Sequence, residues 1–435
     1  MKTNTLQNRN TQIYANNPQL KSWIEVNDGS DFPIQNLPFG VIQKADGETV
    51  CASRIGDTAI NLSAFYQLGY FDGLQIRTDV FAHSSLNAFI ELGQEKWRAV
   101  RNRLTEVFEE NSPNLEGNSR HRSQILSSVE EIKMVLPVQI GDYTDFYSSL
   151  EHATNVGIMF RGKENALMPN WKHIPVGYHG RSSSIVVSKA CIHRPKGQLL
   201  PTDQNQPVFG ATRLMDFELE MAFITGKKSG LGEPIPIDTA EEHIFGLVLF
   251  NDLSARDIQK WEYIPLGPFL GKSFGSVISP WIVTLDALEP FRTRGPEQNP
   301  EVFPYLQYEG EKNYDLNLEV YIQPENEEES QVCSSNYKYM YWNMCQQLAH
   351  QTVNGCNINV GDLYASGTIS GPTPNSYGSM LELSWKGTKP VKLKNKQERK
   401  FLNDKDTVIM RGYGLKDGLR IGFGECRVTI LPARD

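Results

Sequence analysis

The sequence predicts a mainly β protein: a small N-terminal β domain with helices, followed by a large β domain. Three observations carry that expectation. Short stretches such as SSIVVS, LEMAFI, IFGLVLF and DLNLEVYI recur between Gly and Pro turns, as strands do. The run SLNAFIELGQEKWRAVRNRLTEVFEE instead has apolar residues at helical spacing. Finally, 435 residues exceed what one hydrophobic core ordinarily organises, so two domains are expected.

Taken in order, the polar first twenty or so residues should fray. From Trp23 to about Tyr70, GVIQKA and TVCASRI read as short strands of a small β domain. The helical run from Ser84 should start on a serine cap, and a second, more polar helix is expected around Ile125 to Met134. The texture changes at Leu136–Ile140, which divides the chain into 1–137 and 138–435. One further helix is expected over Asn336–Val353, and Gln323–Ser335 reads as an acidic solvated loop. The glycines of RGYGLKDGLRIGFGEC read as hairpin turns, because no strand-then-helix unit surrounds them as a nucleotide loop requires.

Composition excludes several partners. A net charge of -8 leaves no basic field for nucleic acid, so an anionic substrate needs a local Arg/Lys cluster. No apolar run is long enough for a bilayer, and MKTNTLQNRNTQ lacks the apolar core of a secretory signal. The six cysteines are scattered without a C-x-x-C pair, which suits reduced thiols in a cytoplasmic protein and speaks against thiolate-bound zinc.

Three stretches carry chemistry. GDYTDFYSSLEHATNVGIMFRGKENALMPNWKHIPVGYHGR concentrates Asp142, Asp145, Tyr147, His152, Arg161, Tyr178, His179 and Arg181. Singly each fits a polar loop; together they offer a metal carboxylate, a base, and cationic and phenolic groups for a carboxylated substrate. In DFELEMAF, a strand would put Glu218 and Glu220 on one face, where two carboxylates repel unless a cation or proton lies between them. In NDLSARDIQKWEYIPLGPFLGKSFGS, an apolar strand delivers Asp252, and Arg256, Gln259 and Tyr263 follow at helical spacing before Lys272. Carboxylates without thiolates or paired histidines suit a hard cation, Ca²⁺ or Mg²⁺. His173 and His179, six apart, match no helical zinc motif.

These stretches, with DFPIQNLP, PVGYHGR, ASGTISG and SMLELSWKGT, resemble the fumarylacetoacetase family from about Trp23 to the C-terminus. The resemblance implies an SH3-like N-terminal domain, a large catalytic β-roll and a homodimer. It also implies hydrolysis of the carbon–carbon bond of 4-fumarylacetoacetate in tyrosine and phenylalanine breakdown. On matching positions it implies Ca²⁺ on Asp145, Glu218, Glu220 and Asp252, with Mg²⁺ near Asp252, Lys272 and Ser276. His152 would be the base, oriented by Glu382; Arg256, Gln259 and Lys272 would receive an oxyanion; Tyr147, Arg161, Tyr178, Gln259, Tyr263 and Thr368 would hold substrate. Ser276 stands where the family often has Thr, which keeps the hydroxyl and costs little; Leu150 and Leu253 replace the usual Arg and Trp, which touches rate or fine specificity. Related decarboxylases, hydratases and acylpyruvate hydrolases usually lack the long N-terminal domain. A non-catalytic binding protein would not need His152 or Glu382.

Overall fold

A computed structural model describes residues 13–435; part of the stretch expected to fray, residues 1–12, lies outside them. The rest of that stretch is tied down. The Tyr14 hydroxyl donates to Glu109, and Gln35 donates to the Leu20 carbonyl at 2.9 Å.

The N-terminal layer is a five-stranded antiparallel sheet in the order Leu126–Ser128, Thr58–Asn61, Thr49–Ile55, Phe39–Gln43, Lys133–Val135. Two of those strands lie where the second helix was expected. The helix there, Ser119–Ile125, stops where the expected one began, and pairing to Phe39–Gln43 and Thr58–Asn61 overrides helix propensity beyond it. The long helical run is also divided. Gly93, at φ 86°, separates Asn87–Ile90 from Gln94–Phe108, and no serine caps either piece. Gln94–Phe108 buries Trp97, Val100, Leu104 and Phe108.

The large unit is built on an eight-stranded mixed sheet. Its main path runs Gly177–His179, Tyr143–Phe146, Leu363–Ala365, Leu219–Thr225, Ile244–Asp252, Ser276–Ile278, Ile185–Val187. A second, five-stranded sheet contains Asn317–Gln323 and the hairpin Thr407–Lys416/Leu419–Leu431. That hairpin turns at Asp417 and Gly418, both at positive φ, as the glycine pattern predicts. The acidic loop is shorter than expected, since Ser330–Asn336 is a strand paired to Asn317–Gln323. The expected helix over Asn336–Val353 contracts to Met344–Thr352, because the Asn343 capping box starts it there.

Both faces of the central sheet are buried. Met221, Phe223, Leu247 and Leu249 join the core shared with the second sheet. Ala222, Ile224, Val248 and Phe250 join the core of the N-terminal layer, with Phe39, Phe89 and Trp97. Alternation along the strands puts Glu220 and Asp252 on this second face. The acids therefore continue the surface on which the N-terminal layer docks.

Candidate active site

Sheet register assembles the acids. Asp145 stands opposite Tyr178 on one side and Ala365 on the other, Glu220 pairs with Phe250, and Asp252 pairs with Ser276. Glu218, just before its strand, bridges Ser379. Asp145, Glu218, Glu220 and Asp252 each offer an oxygen, and these oxygens lie within 4.8 Å of one another. All four are buried. Lys272 Nζ sits 2.5 Å from Glu218 Oε2 and 2.6 Å from Asp252 Oδ2. The Tyr178 hydroxyl donates to Asp145 at 2.8 Å and Asp252 at 3.1 Å, and Ser276 donates to Asp252 at 2.8 Å.

The electrostatics of this nest are uneven. Burial, then repulsion from neighbouring carboxylates, pushes Asp145 and Glu220 well above the usual carboxylate range. Burial also disfavours ionised Glu218, but Lys272, Arg256 and His152 outweigh it and hold that carboxyl below the usual range. Asp145 Oδ1 and Glu220 Oε1 are buried without a hydrogen-bond partner. Four buried carboxylates clustered this closely, with two of their oxygens unpaired, are a donor set that fits a hard divalent cation.

Beside the nest lies a histidine–carboxylate pair. Ser149 caps the helix Leu150–Arg161 by accepting from the His152 backbone N–H, which fixes His152 in the first turn. His152 is buried, with Nδ1 2.6 Å from Glu382 Oε2. Burial alone would raise Glu382, but His152, Asn155 and Ser370 hold it below its ordinary value. Being ionised it can only accept, so Nδ1 carries the proton and Nε2 is left as the acceptor. Asn155 donates to Glu382 Oε1 at 2.9 Å, and Ser370 and Ser379 donate to the same carboxylate.

The remaining expected residues divide into two groups. Arg256 opens the helix Arg256–Glu262, with Nε 2.8 Å from Asp216, Nη1 donating to Gln259 at 3.3 Å, and Nη2 2.7 Å from Glu218. That last contact is a buried ion pair, so two of the three guanidinium nitrogens face carboxylates. Tyr147 packs edge-on to His152 at 5.2 Å between ring centroids, and burial raises its phenol above the usual range. Thr368 is buried with its hydroxyl unpartnered. Lys272, expected to donate to an oxyanion, donates to Glu218 and Asp252. Tyr178 lies on the acids, not apart from them. Arg161 donates to the Asn165 and Ala166 carbonyls, and Tyr263 is half exposed at the end of its helix; neither is hydrogen-bonded to the nest.

Asn155, Ser370 and Asp216 were missed as site residues. Asn155 follows His152 at i+3 on one helix, and Asp216 precedes Glu218 at strand spacing, so both had a readable signal. Ser370 lies in ASGTISG two residues after Thr368, but only the tertiary fold brings it to Glu382.

A mainly β scaffold holding a buried His–carboxylate pair next to a buried acid nest defines an acid–base enzyme with a hard-cation site. Two family profiles match: "Fumarylacetoacetate (FAA) hydrolase C-terminal" over residues 143–431 and "Fumarylacetoacetase N-terminal" over residues 35–137. The chain belongs to the fumarylacetoacetate hydrolase family. It is similar to fumarylacetoacetase of Homo sapiens, at 55% identity over 95% of this chain and 99% of that protein. It is likewise similar to fumarylacetoacetase of Dictyostelium discoideum, at 54% identity over 95% of this chain and 98% of that one. A solved fumarylacetoacetate hydrolase from Exiguobacterium antarcticum shares the fold, with a TM-score of 0.51, 18% identity, and coverage of 92% of this chain and 100% of that chain.

Proposed function

We propose that the protein hydrolyses 4-fumarylacetoacetate to fumarate and acetoacetate, the last step of tyrosine and phenylalanine breakdown, in the cytoplasm. The observation that carries this reading is the buried His152–Glu382 pair acting on the same electrostatic site as the four acids. Membership of a family whose similar members are fumarylacetoacetases supports the substrate.

Hydrolysing this bond needs a stronger nucleophile than water and an outlet for charge on the departing carbon. His152 Nε2 takes a proton from water as oxygen attacks the carbonyl carbon, and Glu382 stabilises the imidazolium, a contribution of about 10²–10⁴-fold. Arg256, Gln259 and Lys272 receive the oxyanion, each such donor being worth about 3 kcal/mol. When that intermediate collapses the carbon–carbon bond breaks, and the proton held by His152 is returned to the departing acetoacetate carbon. Ca²⁺ would be held by Asp145, Glu218, Glu220 and Asp252, and Mg²⁺ near Asp252, Lys272 and Ser276. A bound divalent cation supplies Lewis acidity to the diketone oxygens. Tyr147, Arg161, Tyr178, Tyr263 and Thr368 hold the substrate between its carboxylates.

Residues 1–137 form the structural domain of this enzyme and 138–435 its catalytic domain. The enzyme works as a homodimer. The loop 263–270 exposes Ile264 (70%), Leu266 (97%) and Phe269 (67%), and Phe209 on the adjoining hairpin is 74% exposed, an apolar surface that suits a second copy.

The decisive test offers purified protein 4-fumarylacetoacetate beside simple acylpyruvates and follows loss of diketone absorbance. Consumption of the first in preference, abolished by chelator dialysis and restored by Ca²⁺ or Mg²⁺, is expected. Faster turnover of acylpyruvates, or full activity after dialysis, would refute the reading.

A further inference from the structure

Three acids, Asp216, Glu218 and Glu220, share one face of the same chain segment by strand spacing. Glu218 and Glu220 belong to the nest, but Asp216 does not. It is fully buried, and one carboxylate serves two separate elements. Oδ1 accepts the Met380 backbone N–H at 2.6 Å, and Oδ2 accepts that of Leu381 at 3.1 Å. Oδ2 also accepts Arg256 Nε at 2.8 Å.

Met380–Leu383 is a single helical turn, too short to hold itself, and it carries Glu382. The N–H groups that open any helix have no partner within it. Here Asp216 takes those of Met380 and Leu381, while Ser379 takes that of Glu382. The same Asp216 fixes the guanidinium of Arg256, whose other arms reach Gln259 and Glu218. A single side chain therefore spans the base side of the site, through Glu382 to His152, and the oxyanion side, through Arg256.

We propose that Asp216 is a positioning residue which sets the distance between the His152–Glu382 base and the Arg256 donor. It is fully buried and hydrogen-bonds to none of the four acids. The proposal rests on the roles of His152, Glu382 and Arg256 given above. A displacement of about 1 Å in a reacting geometry can cost about 10²-fold in rate, which is the loss expected on kcat. Substrate affinity should change little, because Asp216 is not exposed to the substrate.

The test compares Asp216→Asn, Asp216→Glu, Glu382→Gln, Arg256→Gln and the double variant Asp216→Asn/Glu382→Gln of the full chain, each checked for a cooperative thermal transition. Asp216→Asn places an amide against two donors, so kcat should fall about 10²-fold with KM within about threefold of the parent. Asp216→Glu, which restores the acceptor, should recover part of kcat. In the Glu382→Gln background, adding Asp216→Asn should cost less than about fivefold, because residues acting as one unit are not additive. A folded Asp216→Asn with kcat within threefold of the parent overturns the proposal, as does a double variant whose losses multiply. Failure of both Asp216 variants to fold while Glu382→Gln and Arg256→Gln do would assign Asp216 to stability alone, and equally overturn it. Activity retained in Glu382→Gln and Arg256→Gln would instead sink the assigned roles on which the proposal stands.

Discussion

Replacing Glu382 by Gln isolates the step the site is built around. The carboxylate accepts from His152, Asn155, Ser370 and Ser379, and all but the half-buried Asn155 contact are buried. An amide of the same shape keeps one acceptor oxygen and turns the other position into a donor. Asn155 can retain the oxygen, which leaves the amide N–H₂ facing His152 Nδ1. The imidazole then accepts at Nδ1 and carries its proton on Nε2, the nitrogen that must take one from water. The imidazolium also loses its counter-charge. Removal of general-base assistance costs about 10²–10⁴-fold, or about 3–5 kcal/mol of barrier. Stopped-flow measurement of diketone loss should show that fall in kcat, with divalent-cation content unchanged because Glu382 is outside the nest. Retention of kcat within threefold of the parent at unchanged metal content would show that the pair is structural.

Other perturbations test other parts. Gly157 faces the Ala166 carbonyl so closely that an added Cβ would lie 1.7 Å from its oxygen; Gly157→Ala should destabilise by about 1–3 kcal/mol as overpacking does, and an unchanged urea midpoint would contradict it. Glu241, although burial raises it, is held below its ordinary value by Lys312 and Arg292. Its ionised form therefore adds stability above the ordinary carboxylate range that is lost as pH falls through the lowered value. The stability gap between parent and Glu241→Gln should shrink from pH 7 to pH 3, and a gap that widens on acidification would reverse the sign argued here. Leu266→Asp should shift the sedimentation coefficient of the proposed homodimer to that of a monomer, since it puts a charge at the most exposed large apolar side chain among the described residues; a variant that stays dimeric places the interface elsewhere.

The legible parts of this molecule were those with a short period. IFGLVLF announced the central strand and the acid at its end, and Glu218 and Glu220 announced a shared face. The stretch from Ile125 to Met134 reads as a helix in sequence because its strands are short and polar and exist only by pairing with Phe39–Gln43 and Thr58–Asn61. Gly93 was passed over because a lone glycine in a helical pattern does not declare that it adopts positive φ. In the site, local spacing grouped Arg256 with Gln259. The meeting of His152 with Glu382 spans 230 residues, and no local pattern encodes it. Lys272 lay within a recognisable motif, yet its engagement by Glu218 and Asp252 depends on three separate segments.

The strand Ile244–Asp252 lends one face to each of two cores and ends in an acid of the nest. A fragment beginning near residue 138 would therefore carry an uncovered apolar wall: Ala222, Ile224, Val248, Phe250, Ile278 and Ile282. Such a fragment should be sticky and short-lived, not a free-standing catalyst. Inherited or engineered lesions in the first third of the chain should then silence the enzyme by lowering its abundance, even though they alter no residue that handles substrate.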